Sequence, residues 1–418
     1  RCGAQKRTRT STPLRELAPE ASASTNSAIW AQSHRAGGVC ALSGGVNGIR
    51  AGLSQKPCAP QFCPATPCAL PAPRGGAMSN GNDQSESFII MSKLVTIFGG
   101  SGFVGRYIAQ RLAKDGWRVR VAVRRPNEAM FVKPYGAVGQ VEPIFANIRD
   151  DASVAAAVQG ADAVVNCVGI LSEAGKNKFD AVQHEGAARV ARCAAAAGAT
   201  SFVQISAIGA NARSKSGYAE SKGKGEAGVL EHFPNAVILR PSIIFGAEDQ
   251  FFNRFATMAR FLPVLPVVGP QSKFQPVYVD DVAAAAVMGV TGSAKPGIYE
   301  LGGPDVETFK QLMERMLKVV RRRALILTVP FFAARIMAAV LDFLQIISLG
   351  LFTNSQITRD QVKQLANDNV ASPDQMSFAD LGIEPTDMDA VLETYLWQFR
   401  PNGQYAEIMD SAKQMRDD

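Results

Sequence analysis

Tyr218-Ala-Glu-Ser-Lys222 sets a phenol and an amine four residues apart, and on a helix that spacing stacks both side chains on one face. A cationic lysine beside a phenol favours the phenolate and lowers its pKa. The pair can then give and take a proton from a carbonyl and its alcohol. Ser206 closes an apolar run twelve residues earlier and could hydrogen-bond the same substrate oxygen. A Tyr-x3-Lys match is common, and a chance surface pair is its ordinary meaning. Its weight here comes from the residues that precede it.

Val95-Thr-Ile-Phe-Gly-Gly-Ser-Gly-Phe-Val-Gly-Arg106 is a short apolar run, then Gly99-x-x-Gly102-x-x-Gly105, then a helix-like run to residue 114. Strand, tight turn and helix N-terminus in that order bring backbone N–H groups to a pyrophosphate, and the helix dipole favours its charge. A glycine triplet is weak evidence without such flanks, which here are present. Ser101, Phe103 and Val104 share the turn. The next strand-like run, Trp117-Arg-Val-Arg-Val-Ala-Val123, leads to Arg124 and Arg125, where a site for NAD would carry an acidic residue. Two guanidiniums without a carboxylate suit a 2′-phosphate, so the expected cofactor is NADP(H). The alternative is a pair of solvated strand-end charges.

These residues need a scaffold, and the pattern supplies one. Strand-like and helix-like segments alternate from residue 93 onward. Strands are expected at 94–98, 119–123, 141–146, 163–168, 201–206 and 236–239. Helices are expected at 152–158, 179–197 and 218–230. This is an α/β chain, a Rossmann-type doubly wound parallel sheet over residues 91–245. Beyond residue 245 prolines break the pattern, and residues 246–400 read as a smaller C-terminal α/β lobe, some of whose segments return to the sheet. Residues 401–418 read as a tail.

The 418 residues carry a net charge of +7, of which residues 1–90 supply +5, from nine Lys/Arg against four Asp/Glu. The body is nearly neutral, so the charge does not argue for nucleic acid. Five of the seven cysteines also lie in that first stretch; Cys167 and Cys193 lie in the body. Cys58-x4-Cys63-x4-Cys68 has no zinc spacing, and His184 and His232 sit with no other ligand types, so no metal site is expected. Residues 1–90 are rich in Ala, Ser, Pro and Gly and lack periodicity. Three readings are open: translated upstream sequence, a targeting peptide, or a disordered tail. Met91-Ser-Lys, leading straight into the first strand, favours the first.

With the glycine turn, the serine-ended strand and the Tyr/Lys pair together, the chain resembles the short-chain dehydrogenase/reductase superfamily in its extended or atypical branch. Asn166-Cys-Val-Gly169 is similar to the fourth-strand motif lining the cofactor, and Leu239-Arg-Pro-Ser-Ile-Ile-Phe-Gly246 to the segment near the nicotinamide. Pro276-Val-Tyr-Val-Asp-Asp-Val282 and Tyr299-Glu-Leu-Gly-Gly-Pro304 are similar to the later part of the extended fold. Within the superfamily, Phe245-Gly-Ala-Glu-Asp-Gln-Phe-Phe-Asn-Arg-Phe255, Gln275-Pro-Val-Tyr-Val279, Ile357-Thr-Arg-Asp-Gln-Val362 and Leu381-Gly-Ile-Glu-Pro-Thr386 resemble the accessory-subunit family of respiratory complex I. That resemblance spans roughly residues 93–400.

The resemblance implies a bound, mainly structural NADPH. Gly99, Gly102 and Gly105 would cradle its pyrophosphate, Arg124 and Arg125 its 2′-phosphate, and Tyr218 and Lys222 its nicotinamide ribose. Asn147, Ile148, Cys167, Val168, Gly169 and Pro241 would line it, although Ala146-Asn147 departs from the Gly-Asp of many relatives. It also implies attachment to core subunits near the quinone site. The protein would lie peripherally on the inner membrane, on the cytoplasmic face if bacterial or the matrix face if mitochondrial. Ser206, Tyr218 and Lys222 keep a rival open, an NADP-dependent reductase or epimerase acting on a small carbonyl or on a quinone or isoprenoid intermediate. A nucleotide-sensing or assembly factor that associates only transiently is a third reading.

Residues 331–352 are the most apolar stretch of the body, and Lys318, Arg321, Arg322 and Arg323 precede them. A basic flank beside an apolar face suits docking of residues 318–352 on an anionic membrane surface. Docking in a partner's groove, internal packing and a span are the other readings, and Arg335, Asp342 and Gln345 argue against the span.

Overall fold

The computed structural model describes residues 92–337, 359–405 and 411. The expectations for residues 1–90, and for the part of the 318–352 stretch beyond residue 337, lie outside the described residues. The chain opens with β1 (Leu94–Phe98), α1 (Phe103–Lys114), β2 (Arg118–Val123), β3 (Val141–Phe145), α2 (Asp151–Val158) and β4 (Ala163–Asn166). It continues with α3 (Glu185–Ala196), β5 (Ser201–Ile205), α4 (Gly217–His232), β6 (Val237–Pro241), β7 (Ile244–Phe245) and α5 (Phe252–Phe261). Then come β8 (Val264–Val268), β9 (Lys273–Phe274), β10 (Val277–Tyr278), α6 (Val279–Thr291), β11 (Gly297–Leu301), β12 (Glu307–Thr308) and α7 (Phe309–Val319). The last elements used below are β13 (Leu325–Val329), α8 (Arg359–Gln364) and α9 (Met388–Leu396).

Seven strands form one parallel sheet in the order β11-β6-β5-β4-β1-β2-β3. The inner strands are short, apolar and buried on both faces, as a parallel sheet covered by helices requires. On one face α1 and α6 pack through Ile108, Leu112, Val282 and Ala286. On the other, α2, α3 and α4 enclose Phe98, Val164, Val190 and Phe202. Each fully buried Ile, Leu or Phe stabilises the fold by about 1.5–3 kcal/mol of transfer free energy. The strand order reverses between β1 and β4, and a crevice at the carboxyl ends there is where such sheets take ligands.

Three boundaries differ from expectation. The strands at 141 and 163 stop at Phe145 and Asn166, which frees Ala146, Asn147, Cys167 and Val168 as loop residues above the sheet. The helix expected at 179–197 begins as a π-turn, Asp180–His184, before α3. A stretch of 3-10 turns, Pro126–Tyr135, follows β2, where no element was expected.

Past β6, one segment returns to the sheet as β11, while α5, α7 and α9 pack around a second core. There Phe251, Phe255 and Phe274 surround Phe309, with ring centroids 5.6 Å from it in each case. β13 pairs in parallel with β8 and carries Leu325 and Leu327 exposed. In the helical turns at 331–337, Ala334 packs against Val268 and Val362, while Phe332, Ile336 and Met337 face outward. Among the described residues no helix is long and apolar enough to cross a membrane.

Candidate functional site

A cleft of about 510 Å³ opens over the carboxyl ends of β1, β2 and β4. Of the residues expected to hold a cofactor, it brings together Gly99, Ser101, Gly102, Arg124, Arg125, Asn147, Ile148, Cys167 and Val168. The turn is built for close approach. Gly99 has φ +73°, and a Cβ there would meet the Cys167 backbone at 3.3 Å. A Cβ on Gly105 would lie 2.4 Å from the Gly99 carbonyl, so this glycine seats α1 tightly against the turn instead of lining the cleft. Phe103 and Val104 point into the core behind it. Gly169 and Pro241 are buried and do not line it.

The cleft holds residues the sequence reading missed. Arg106 and Arg149 join Arg124 and Arg125 in the lining, with Arg106 ion-paired to Glu248 at 3.3 Å and donating to the Gly102 carbonyl of the turn. Arg106 was legible as the residue after the third glycine; its guanidinium stacks 4.9 Å over Phe131, which lies on the 3-10 stretch. Arg125 pairs with Glu128 at 3.0 Å. Arg124 donates to the Asn177 side-chain oxygen at 3.5 Å across 53 residues of chain, a contact no local pattern shows. Asn147 accepts through its side-chain oxygen from the Arg149 backbone N–H at 3.2 Å. A glycine cradle that a Cβ would obstruct, with guanidinium donors at its rim, fits the pyrophosphate of a dinucleotide.

Ser206, Tyr218, and Lys222 lie outside the cleft lining, beyond Cys167. The Cys167 thiol of the lining is pushed up to about 12 by burial, with the Lys222 charge acting in the opposite direction. Ser216 caps α4 by accepting from the Ala219 N–H. Lys222 is buried and donates to the Ile205 carbonyl at 3.2 Å; burial brings its ammonium down to about 8. The expected lowering of the Tyr218 phenol is not what this arrangement produces. Burial first, and then the Asp360 carboxylate, push it up. Ser206 donates its hydroxyl to buried Glu226, four residues beyond Lys222. Arg240 grips Glu226 with two hydrogen bonds, 2.6 and 3.0 Å, and reaches Glu300 at 3.3 Å. The serine thus belongs to a buried charged network.

The fold has solved counterparts. The crystal structure of gox2253 is 19% identical, with a TM-score of 0.57, over 75% of this chain and 99% of that one. Residues 95–302 match the NAD dependent epimerase/dehydratase family. The "NADH dehydrogenase [ubiquinone] 1 alpha subcomplex subunit 9, mitochondrial" of Arabidopsis thaliana is 34% identical over 316 residues, covering 74% of this chain and 79% of that protein. The "Ceramide reductase" of Caulobacter vibrioides is 34% identical over 194 residues, 46% of this chain and 60% of that protein. Sheet, glycine turn and family match define an NAD(P)-binding protein of the extended short-chain dehydrogenase class. Within that class the chain belongs to the family of the Arabidopsis subunit.

Proposed function

We propose that this chain is a structural, dinucleotide-binding accessory subunit of respiratory complex I that holds NADP(H) without turning it over. The observation carrying this reading is the 316-residue match to the Arabidopsis subunit, which is much longer than the epimerase/dehydratase region at 95–302. The site supports it. The serine that a reductase would aim at a carbonyl donates its hydroxyl hydrogen bond to Glu226. Arg124 and Arg125 at the end of β2, with no carboxylate in the position that would bind the bare ribose of NAD, favour the 2′-phosphate of NADP(H). Gly99 and Gly102 face the pyrophosphate, Arg124 and Arg125 the 2′-phosphate, and Tyr218 and Lys222 the nicotinamide ribose. The bound group supplies charge and contacts that stabilise the fold.

The same reading places the protein peripherally on the inner membrane, against core subunits near the quinone site. Lys318, Arg321 and Arg323 are exposed beside outward-facing Leu325, Leu327, Phe332 and Ile336, a combination suited to an anionic lipid surface. A pull-down of the tagged chain from detergent-solubilised membranes tests the assignment. Stoichiometric recovery of complex I core subunits is expected, and recovery of the chain alone would sink it.

A second reading is a working NADP-dependent reductase, favoured by the presence of Ser206, Tyr218 and Lys222 and by the similarity to the ceramide reductase. Under it, Tyr218→Phe abolishes carbonyl reduction and leaves the fold intact. If no carbonyl substrate responds to that change, this reading fails.

A further inference from the structure

Residues 359–376 run as a strap that meets the N-terminus of α4 directly at one point and, at a second, Glu300, which is linked through Arg240 and Glu226 to Ser206. At the first, Asp360 of α8 sits on the N-terminus of α4. It accepts from the Ser216 hydroxyl at 2.7 Å and from the Gly217 and Tyr218 backbone N–H groups at 3.0 and 3.2 Å. The leading amides of a helix lack intrahelical partners, and an anion there is favoured by the helix dipole. The strap therefore supplies what the first turn of α4 cannot supply itself. Gln364 reinforces the contact, donating to Asp360 at 3.2 Å.

At the second point, the Ser372 N–H donates to Glu300 at 2.8 Å. Glu300 is held by Arg240, Arg240 by Glu226, and Glu226 accepts a hydrogen bond from the Ser206 hydroxyl. Between the two points the strap is stitched down by backbone and side-chain bonds. The Asn369 N–H donates to the Lys273 carbonyl at 2.8 Å, Ser242 donates to the Asn369 side chain at 2.6 Å, and the Ala371 N–H donates to Gln275 at 3.1 Å.

We propose that seating of this strap and occupancy of the nicotinamide end of the dinucleotide site are coupled, with Asp360 as the positioning residue that sets Tyr218 and Lys222 for the ribose. The proposal rests on the dinucleotide part of the reading above and not on the partner. Asp360 fixes the turn that carries Tyr218, so a ribose that orders the Tyr/Lys face also favours the seated strap. By linkage, the seated strap favours the ribose by the same factor. The direction in which Asp360 moves the Tyr218 phenol agrees with this contact.

The test uses the full chain and two ligands. NADPH reaches both ends of the site, whereas 2′,5′-ADP carries the adenosine and 2′-phosphate and no nicotinamide. Asp360→Ala is expected to weaken NADPH binding by roughly fivefold or more while leaving 2′,5′-ADP binding unchanged. In the wild type, NADPH is expected to slow amide hydrogen exchange at Asn369, Ala371 and Ser372, and 2′,5′-ADP is expected to do so far less. Asp374→Asn, at an exposed strap position, serves as the control and should bind NADPH as the wild type does. Equal losses for both ligands in Asp360→Ala would mean general destabilisation and overturn the coupling, as would exchange that ignores NADPH. Should Asp360→Ala fail to fold, the wild-type exchange comparison decides. Failure of the wild type to bind either ligand would overturn the dinucleotide reading and this proposal with it. Loss of complex I recovery in the pull-down would leave the coupling standing.

Discussion

Arg124 and Arg125 sit at the end of β2, where the choice between a ribose hydroxyl and a ribose phosphate is made. Hydrogen bonds to a charged phosphate are worth about 1.5–3 kcal/mol each. Arg124→Ala is therefore expected to weaken NADPH roughly ten- to a hundredfold and to leave NADH unchanged, as read by fluorescence titration. Lys222 gives a pH signature. Its folded pKa of about 8 lies below the ordinary 10.5, so the unfolded chain keeps this proton to higher pH than the folded one. Stability from this group must then rise with pH between those values, its cost being full below pH 8. Urea denaturation of wild type and Lys222→Met in the cofactor-free state should show the difference moving in favour of wild type from about pH 7 to about pH 10. A difference that is flat, or of opposite slope, would show that Lys222 is not buried as charged ammonium.

At the scale of elements, the site depends on how closely α1 approaches β1. The Gly105 Cα faces the Gly99 carbonyl, and a methyl group there would force the helix away from the turn. Gly105→Ala is expected to cost roughly 1–3 kcal/mol, the usual penalty for overpacking, and to lower dinucleotide affinity in parallel. Calorimetry with and without NADPH separates the two effects. A melting temperature equal to wild type would mean that α1 is not pinned by this contact. The loops after β3 and β4 matter for a related reason. Because these strands end at Phe145 and Asn166, the residues that follow are released to line the cleft. Asn166 ties the β4 loop down, its side-chain oxygen accepting from the Val168 N–H at 3.1 Å while its amide donates to Gln204 at 2.9 Å.

For the whole molecule, the seven-stranded sheet offers the dinucleotide a rigid floor, and the region beyond β6 offers a surface. Lys318, Arg321 and Arg323 are exposed and precede in sequence the exposed apolar side chains of β13 and the turns after it, whereas Arg322 is committed to the Phe399 carbonyl at 2.6 Å. Each basic residue near an anionic bilayer contributes about 1 kcal/mol. Replacing Lys318, Arg321 and Arg323 together by Gln should weaken binding to phosphatidylserine vesicles by roughly a hundredfold, and the loss should shrink as salt rises. Binding that is unchanged at low salt would remove the membrane from the proposed docking surface.

Local pattern reaches a long way into this chain. The short apolar runs, the glycine turn and the alternation of strand and helix carry enough information to place the first six strands to within a few residues, because a parallel sheet buried on both faces demands continuous apolar strands. The glycine turn and the two arginines after β2 were legible for the same reason: backbone approach and helix polarity are sequence-adjacent effects. Other features depended on distant packing. The Arg124–Asn177 contact and the charged network of Ser206, Glu226, Arg240 and Glu300 each join residues far apart in the chain. The phenol of Tyr218 shows the difference most directly. Its spacing from Lys222 predicts a lowered pKa, yet burial and an aspartate 142 residues away push it up. Spacing along a helix establishes which side chains share a face, whereas the desolvation and remote charges that set their proton affinities arise when the other elements close over them.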